Sequence, residues 1–299
     1  MFYHVPILLN ESIEGLNINP SGTYVDVTFG GGGHSTEILK RLSKTGRLIA
    51  IDQDEDAKRN VFNDNRFLLI HGNFRFLKNY LEYYGIDKID GIIADLGVSS
   101  HQFDVEERGF SFRLGGKLDM RMNVKQKLTA ADILNNYKQE KLYYIFKNYC
   151  DIQNVGKLVS LILKYRTTYK FNDINEFIDA IKPILPKQKD IKYLAQVFQA
   201  LRIEVNDELS VLKDFLNSIP QILKTGGRFS IISYHSLEDK LVKNLIKFGK
   251  TEEIEEINLF GVKKMEFKTI NRQVIVPSED EILRNSRSKS AKLRIAEKI

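Results

Sequence analysis

A run of four consecutive glycines, Gly30 to Gly33, is the feature that most constrains the fold of this chain. It follows an apolar, β-branched stretch, Thr23-Tyr-Val-Asp-Val-Thr-Phe29, and precedes a pattern typical of a helix. Glycine lacks a Cβ and tolerates positive φ, so such a run suits a tight turn that lies close to a ligand. In an open α/β sheet, a nucleotide-like cofactor binds at the turn after the first strand. The sequence therefore predicts a strand–loop–helix cofactor site.

Three kinds of cofactor loop compete for this segment. A Walker A loop needs a lysine after its last glycine, and none follows this run. The dinucleotide pattern Gly-x-Gly-x-x-Gly matches at Gly30 and Gly32, but Ser35 takes the place of its third glycine. An S-adenosylmethionine loop also joins a first strand to a first helix, and it has no pyrophosphate to hold. A glycine-rich surface turn is the remaining alternative.

A second cofactor signal is Arg47-Leu-Ile-Ala-Ile-Asp52, an apolar run that ends in an acid. Asp52 lies about 20 residues after the first glycine, as expected for the end of a second strand. A carboxylate there can accept hydrogen bonds from both ribose hydroxyls of an adenosine. Asp54 is the nearest competitor for this role, and a plain strand-end turn is the structural alternative.

Another buried strand is predicted at Ile89-Asp-Gly-Ile-Ile-Ala-Asp95. Because the carboxyl ends of parallel strands form the ligand crevice, Asp95 is expected near the cofactor, and Gly97 leaves room for a substrate. The alternative is a capping residue at the start of the next helix, a frequent use of aspartate and serine. The residues alone leave both interpretations open.

The order of the predicted elements indicates a mostly parallel α/β sheet with helices on both faces and an inserted helical domain. Strand signals in the first part lie near 23–29, 47–51, 66–70 and 89–96, and helical signals fill 35–43, 55–62 and 75–84. From about 105 to 204 helical patterns dominate. The α/β pattern then returns, with final strands expected at 251–258 and 264–276. We therefore expect a discontinuous cofactor domain at 1–104 and 205–299, interrupted by a helical domain at 105–204.

Composition bounds the remaining choices. The chain has 299 residues, 42% of them hydrophobic, which is enough for one large domain or two ordinary ones. No apolar stretch reaches 18 residues, so neither a membrane span nor a membrane partner is expected, and no secretory signal is evident. The single cysteine, Cys150, fits a reducing, cytoplasmic location. The five histidines show no zinc-site spacing, so no metal is expected.

The net charge of +6 is a mild excess, but it is unevenly distributed. The segment 284–298 carries six basic residues and one acid, Glu297, and a second basic stretch spans 182–192. Such patches suit contacts to nucleic-acid phosphates. We therefore expect Arg287, Lys289 and Lys292 to bind RNA. The competing interpretation is that this segment folds back as a strand or helix whose charges are only solvated.

Several long motifs occur in an order that identifies a family. They are Phe29-Gly-Gly-Gly-Gly-His-Ser35, Asp95-Leu-Gly-Val-Ser-Ser100, Glu107-Arg-Gly-Phe-Ser-Phe112, Leu118-Asp-Met-Arg-Met122, Phe198-Gln-Ala-Leu-Arg-Ile-Glu-Val-Asn-Asp-Glu-Leu209, Ser230-Ile-Ile-Ser-Tyr-His-Ser-Leu-Glu-Asp239 and Arg287-Ser-Lys-Ser-Ala-Lys-Leu-Arg294. Together they closely resemble the bacterial ribosomal RNA small subunit methyltransferase H family (RsmH, also called MraW) over nearly the whole chain.

The resemblance implies an S-adenosylmethionine-dependent enzyme that methylates the exocyclic N4 of a cytidine in the decoding region of 16S rRNA. It implies a Rossmann-like methyltransferase domain with a helical insertion, and a partner that is the small ribosomal subunit or a late assembly particle. The expected cofactor contacts, by motif matching, are Gly30, Gly32, Gly33, His34, Asp52, Phe74, Asp95 and Gln102. The oligomeric state is not determined by the sequence, and a homodimer is one state to test.

The reaction needs alignment of nitrogen, methyl carbon and sulfur, together with an acceptor for the amino hydrogens. Asp95 is the candidate acceptor, although the cofactor can occupy it instead, and His235 is a second candidate at the substrate. Ser236 with Asp239 three residues later predicts a helix N-cap rather than a hydrolase nucleophile.

The target base must leave its stack, and splayed RNA bases are held by stacking and by contacts to their edges. Arg113 and Arg121 are expected to contact RNA, and Phe110 and Phe112 either stack on bases or form the core of the insertion. Two other classes stay open, a nicotinamide-dependent oxidoreductase and an inactive RNA-binding assembly factor.

Overall fold

In the computed structural model, residues 6–254, 265–271 and 273–299 are described. The chain divides into two units, the first made of residues up to Gly97 and from Leu209 onward, the second of Val98–Glu208. No helix among the described residues is long and apolar enough to cross a membrane.

The first unit contains a mixed sheet of seven strands in the described residues, with the order β3-β2-β1-β4-β5-β7-β6. The strands are β1 Thr23–Asp26, β2 Arg47–Asp52, β3 Phe67–His71, β4 Ile89–Asp95, β5 Leu223–Ser233, β6 Phe267–Thr269 and β7 Lys292–Lys298. Strands β1 to β5 pair in parallel, whereas β7 pairs antiparallel with both β5 and β6. The fold is therefore Rossmann-like, with a mostly parallel sheet as predicted.

Helices of the first unit are α1 Leu9–Gly15, α2 Gly33–Arg41, α3 Leu77–Tyr83, α10 Glu208–Ile222, α11 Ser236–Phe248 and α12 Glu279–Arg284. Neighbouring strand residues enter different apolar clusters. Val25 and Ile92 pack with residues of α3, α10 and α11, whereas Tyr24 and Ile93 pack with residues of α1 and α2. Because successive strand residues point to opposite faces, helices cover both faces of the sheet.

The second unit consists of helices α4 Ser100–Asp104, α5 Ala130–Asn136, α6 Gln139–Asn148, α7 Val155–Arg166, α8 Ile174–Ile181 and α9 Asp190–Asn206. They enclose their own core, in which the Phe146 and Phe177 side chains are fully buried. The side chain of Asn206 donates to the Met120 carbonyl at 2.8 Å and accepts the Met122 N–H at 2.8 Å. The division at 97/98 and 208/209 thus places the end of α9 with the helices, whereas the predicted boundaries were 104/105 and 204/205.

The C-terminal strands differ from the sequence prediction. Within 251–258, residues 251–254 form no strand, and 255–258 lie outside the described residues. Strand β6 occupies only Phe267–Thr269 of the predicted 264–276, and β7 lies in the basic segment, where a strand was expected only as the competing interpretation. Leu293 and Ile295 are buried at alternate positions of β7, while Arg294 between them pairs with Asp239. Charge therefore obscured an alternating strand pattern. The helix predicted at 55–62 is a 3-10 helix, Glu55–Asn60.

Candidate functional site

Three aspartates end three neighbouring parallel strands. Asp26 ends β1, Asp52 ends β2 and Asp95 ends β4. Since β1 pairs in parallel with both β2 and β4, these carboxylates lie along the same edge of the sheet. This edge is where α/β sheets bind their ligands, so the geometry brings together Asp52 and Asp95, the acids on which the sequence prediction depends, and adds Asp26 to them.

The glycine loop begins at this edge and leads directly into α2. Gly30 and Gly32 have φ values of 49° and 75°, the left-handed region that favours glycine. A Cβ on Gly32 would lie 2.9 Å from the Phe62 ring, and one on Gly33 would overlap Pro6. A Cβ on Gly31, by contrast, would meet nothing within 4 Å. The loop is closely packed on one side and open at Gly31, a residue absent from the predicted cofactor contacts.

The Asp52 side chain is hydrogen-bonded to this loop. Its Oδ2 accepts the Gly30 N–H at 2.7 Å, and its Oδ1 accepts the Asp54 N–H at 2.8 Å. Burial raises the pKa of Asp52 to about 6, against the lowering effect of these two hydrogen bonds. The side chain of Asp54 instead accepts the Asp56 N–H at 3.2 Å and caps the following 3-10 helix. Of the two acids, Asp52 is the one directed at the glycine loop.

His34, in the first turn of α2, has only 6% of its surface exposed. Burial lowers the pKa of His34 to about 4, although a hydrogen bond with the Ile7 backbone acts in the other direction. Its Nε2 is buried and has no hydrogen-bond partner among the described residues. An unsatisfied buried nitrogen is costly, so a cofactor atom that bonded this nitrogen would relieve the cost.

Asp26 organises the interior of the site, a role that sequence reasoning missed. Its carboxylate accepts the Ser35 hydroxyl at 2.7 Å and the Thr28 N–H at 3.1 Å. The Thr28 hydroxyl in turn accepts the backbone N–H of Asp95 at 2.7 Å. Burial raises the pKa of Asp26 to about 6, partly offset by the Ser35 and Thr28 hydrogen bonds. Ser35, which replaces the third glycine of the dinucleotide pattern, therefore joins α2 to β1.

Asp95 is paired with Tyr234, which immediately follows β5. The Tyr234 hydroxyl donates to Asp95 Oδ1 at 2.6 Å. Burial raises the pKa of Asp95 to about 7, the Tyr234 hydrogen bond lowers it, and the negative charges of Asp26, Glu238 and Glu281 raise it further. The carboxyl of Asp95 is therefore held near the midpoint of its titration at neutral pH. Tyr234 lies within the motif Ser230–Asp239, and no role was predicted for it.

The predicted N-cap at Ser236 is wrong by one residue. His235 is the N-cap of α11, because its Nδ1 accepts the Glu238 N–H at 3.4 Å. Glu238 returns the bond by accepting the backbone N–H of His235 at 3.3 Å, and it also accepts the Tyr234 N–H at 2.8 Å. The His235 side chain is 7% exposed, and its Nε2 lies 3.2 Å from Glu238 Oε1. An imidazole nitrogen thus does the capping that a serine hydroxyl was expected to do.

Phe74 begins a short 3-10 helix after β3 and packs edge-on against Phe215, with the ring centroids 5.3 Å apart. The neighbouring Asn73 donates to the side chain of Gln53 at 2.9 Å. Because Gln53 directly follows Asp52, this bond ties the loop that carries Phe74 to the end of β2. The placement brings Phe74 to the same edge as the glycine loop.

Gln102 belongs to the second unit, where it is 5% exposed. It forms a capping box with Ser99 at the start of α4. The side-chain Oε1 of Gln102 accepts the Ser99 N–H at 3.1 Å, and the backbone N–H of Gln102 donates to Ser99 Oγ at 3.2 Å. The described geometry therefore gives Gln102 a local capping role.

The residues expected to contact RNA in the second unit have different surroundings. Arg113 is exposed, whereas the Arg121 guanidinium bonds to Asp119 at 2.7 Å and 2.8 Å and to the carbonyls of residues 124 and 126. Phe110 is 5% exposed in the helical core, and Phe112 packs on Phe198 with the centroids 5.5 Å apart. The two phenylalanines contribute to the core.

The basic C-terminal segment contains both exposed basic side chains and basic side chains that are hydrogen-bonded within the protein. Arg287 and Lys289 are exposed on a 3-10 turn, Ser286–Ser290, and the half-buried Lys292 begins β7. Further along β7, Arg294 bonds to Asp239 at 2.7 Å and Lys298 donates to the Leu223 carbonyl at 3.0 Å. The second half of the segment therefore folds back as a strand, as the competing interpretation predicts, but Arg294 and Lys298 are hydrogen-bonded rather than only solvated.

Comparison with known proteins gives consistent matches over the whole chain. The family model for the MraW methylase family matches residues 1–299. The chain is 56% identical over 296 residues to ribosomal RNA small subunit methyltransferase H of Bacteroides fragilis, covering 99% of this chain and 97% of that protein. It is 52% identical over 299 residues to the protein of the same name from Christiangramia forsetii, covering 100% and 99%. An rRNA methylase structure from Streptococcus thermophilus matches with 15% identity and a TM-score of 0.40, covering 99% of both chains.

Proposed function

The chain belongs to the MraW methylase family, and from this we propose that it methylates the exocyclic N4 of a cytidine in the decoding region of 16S rRNA. The methyl donor is S-adenosylmethionine. The observation that carries the proposal is the convergence of the glycine loop, Asp52 and Asp95 at the carboxyl edge of one parallel sheet. A single crevice there can hold both the donor and the nucleotide that receives the methyl group.

The cofactor would be held by Gly30, Gly32, Gly33 and His34 in the loop, by Asp52 at the ribose and by Phe74 beside the adenine, with Gln102 as a further contact. Asp52 suits ribose because each of its oxygens already accepts one N–H and keeps a lone pair for a hydroxyl. When bound, the cofactor supplies a methyl group already activated by the sulfonium centre. The open side of Gly31 lets a ligand approach the loop backbone.

Asp95 acts on the nitrogen that is methylated. A cytosine amino group is a poor nucleophile because its lone pair is delocalised into the ring. When the N–C bond forms and the C–S bond breaks, the nitrogen must lose one proton. With Oδ1 already bonded to Tyr234, Oδ2 of Asp95 is the oxygen that can accept an amino hydrogen. A carboxyl whose pKa is about 7 can take up this proton near neutral pH. His235 is proposed as a second residue that contacts the substrate.

The RNA contacts that we propose are Arg113 and Arg121 in the helical unit and Arg287, Lys289 and Lys292 near the C-terminus. Base edges are to be held by the helical unit and phosphates by the basic segment. The substrate is 16S rRNA in the small ribosomal subunit or in a late assembly particle, acted on in the cytoplasm. Light scattering of the purified protein distinguishes a homodimer from a monomer.

Methyl transfer to small ribosomal subunits that lack the modification tests this function. Labelled S-adenosylmethionine, followed by nucleoside analysis, should yield N4-methylcytidine in the decoding region. Naked 16S rRNA is compared in parallel to identify the form of the substrate. Methylation at a ring carbon would contradict the N4 assignment, and methylation outside the decoding region would contradict the proposed target site. Absence of any transfer would favour an inactive RNA-binding factor.

A further inference from the structure

We propose that Tyr234 is a positioning residue that fixes the orientation of the Asp95 carboxylate through a hydrogen bond to one of its two oxygens. The proposal rests on the role given above to Asp95 in methyl transfer. It assigns a task to a side chain that is remote in sequence from the glycine loop and from Asp95. The 2.6 Å hydrogen bond between the Tyr234 hydroxyl and Asp95 Oδ1 is the observation from which it starts.

The Tyr234 ring is fixed independently of this hydrogen bond. It packs against an apolar cluster that includes Leu8, Ile232 and Leu293, and its backbone N–H donates to Glu238 at 2.8 Å. A Cβ placed on Gly97 would lie 3.5 Å from the ring, so the chain just beyond Asp95 runs close beside it. A ring anchored on both sides can aim its hydroxyl without further loss of side-chain entropy. This anchoring lets the hydroxyl select one rotamer of Asp95.

The charges around Asp95 make such a donor necessary. The negative charges of Asp26 on β1, Glu238 on α11 and Glu281 on α12 each raise the pKa of Asp95 in addition to the effect of burial. Thr28 does not offset this rise in the pKa, because its hydroxyl accepts the backbone N–H of Asp95 and does not donate to the Asp95 carboxylate. The Tyr234 hydroxyl acts in the opposite direction, because a hydrogen bond to the ionised form lowers the pKa.

Tyr234 is also suited to remain a donor at all working pH values. Burial, together with the adjacent Asp95 charge, raises the pKa of the phenol well above 10. It therefore keeps its proton while Asp95 loses one. Oδ1 of Asp95 is thus bonded to Tyr234. This leaves Oδ2 to accept a proton from the amino group of the substrate.

The test is the substitution Tyr234→Phe in the full-length protein, which removes the hydroxyl and keeps the ring. Carbon-13 NMR of labelled aspartate, with Asp95→Asn used to assign the signal, should show the pKa of Asp95 raised by about one unit in the RNA-free protein. In methyl transfer to small subunits, the acidic limb of kcat should move to higher pH by the same amount. Below neutral pH kcat should fall about tenfold and recover at alkaline pH, while the KM for S-adenosylmethionine changes little.

Tyr137→Phe is the matched control, because the Tyr137 hydroxyl likewise donates to a carboxylate, that of Glu204, at 2.9 Å. It should leave both the Asp95 signal and the pH profile unchanged. If Tyr234→Phe does not fold, 3-fluorotyrosine at position 234 keeps the hydroxyl and makes it a stronger donor. The pKa of Asp95 should then fall rather than rise.

An Asp95 titration that is the same in wild type and in a folded Tyr234 variant would overturn the proposal. So would a loss of kcat that is uniform across pH, since a merely structural role predicts that result. The NMR titration uses no RNA, so it decides the role of Tyr234 even if small subunits prove not to be the substrate. A wild-type protein that transfers no methyl group would instead refute the proposed function.

Discussion

The backbone N–H of Gly30 donates to Oδ2 of Asp52 at 2.7 Å, so the glycine loop and the end of β2 form one unit. The two strongest cofactor signals in the sequence are therefore in direct contact. The acid shapes the loop from one oxygen while the rest of its carboxylate remains available to a ligand. A change at Asp52 should consequently affect both the loop and the ribose contact.

Asp52→Ala should weaken S-adenosylmethionine binding at least tenfold by calorimetry. Each hydrogen bond to a charged group contributes about 1.5–3 kcal/mol, and at least one is removed at the ribose. Asp87→Ala, which removes an exposed acid between α3 and β4, is the charge-matched control and should bind normally. Unchanged affinity in a folded Asp52 variant would remove the ribose role from this residue.

Two neighbouring glycines should respond differently to alanine. Gly32→Ala places a Cβ 2.9 Å from the Phe62 ring at a φ of 75°, and a left-handed non-glycine residue costs about 1–2 kcal/mol. Gly31→Ala meets no atom within 4 Å and should leave the unfolding free energy unchanged. Denaturant titration of both variants without ligand measures the difference. Equal destabilisation would mean that the loop is packed on both sides.

Gly31→Ala also tests where the ligand lies. Because its added methyl group projects into open space at the loop, we expect weaker S-adenosylmethionine binding without loss of stability. Full affinity in this variant would show that the ligand approaches the loop from another direction.

The stability contributed by Asp26 should decrease as the pH rises. Burial raises its pKa from 3.8 to about 6, so the folded protein holds this proton more tightly than the unfolded chain does. The contribution is therefore fully present below about pH 4 and is lost as the pH rises through 6. With 1.36 kcal/mol per pKa unit, wild type should lose about 2 kcal/mol relative to Asp26→Asn between pH 4 and 7.

Asp64→Asn is the control, because the stability contributed by Asp64 should change with pH in the opposite direction. Its hydrogen bonds to Arg66 lower the pKa of Asp64 to about 2, so its contribution is present above about pH 4 and is lost as the pH falls toward 2. Chemical denaturation at several pH values should thus separate the two variants. A pH-independent difference between wild type and Asp26→Asn would show that Asp26 does not titrate in this range.

Replacing Arg287, Lys289 and Lys292 together with alanine should flatten the salt dependence of binding to small ribosomal subunits. The log–log slope should fall by about 0.7–0.9 for each phosphate that the variant no longer neutralises. S-adenosylmethionine affinity should hardly change. A triple alanine variant of Lys213, Lys243 and Lys247, exposed on α10 and α11, has the same net charge and should keep the wild-type slope. If both triple variants behave like wild type, the basic segment has no role in RNA binding.

Much of the site could be predicted from local pattern. The apolar run before Gly30, the glycines and the run that ends at Asp52 occur in the order that an α/β cofactor site requires, and the structure places them at one edge. Local pattern failed where a residue's partner is distant or its charge misleads. The strand β7 was predicted only as an alternative to an RNA-binding segment, because its basic residues Lys292 and Arg294 drew the main prediction. The N-cap at His235 was missed because imidazole is an unusual cap.

The sequence by itself determined the order of strand, loop and acid, because backbone preferences and alternating burial act over a few neighbouring residues. Only the tertiary structure decided that Tyr234 meets Asp95 across 139 positions and that Asp26 reaches the backbone of β4 through Thr28. It also decided the charge states, since the raised pKa of Asp95 comes from burial and from acids on β1, α11 and α12. Such effects depend on which side chains exclude water from a carboxylate, and distant segments acquire that proximity only when the sheet is assembled.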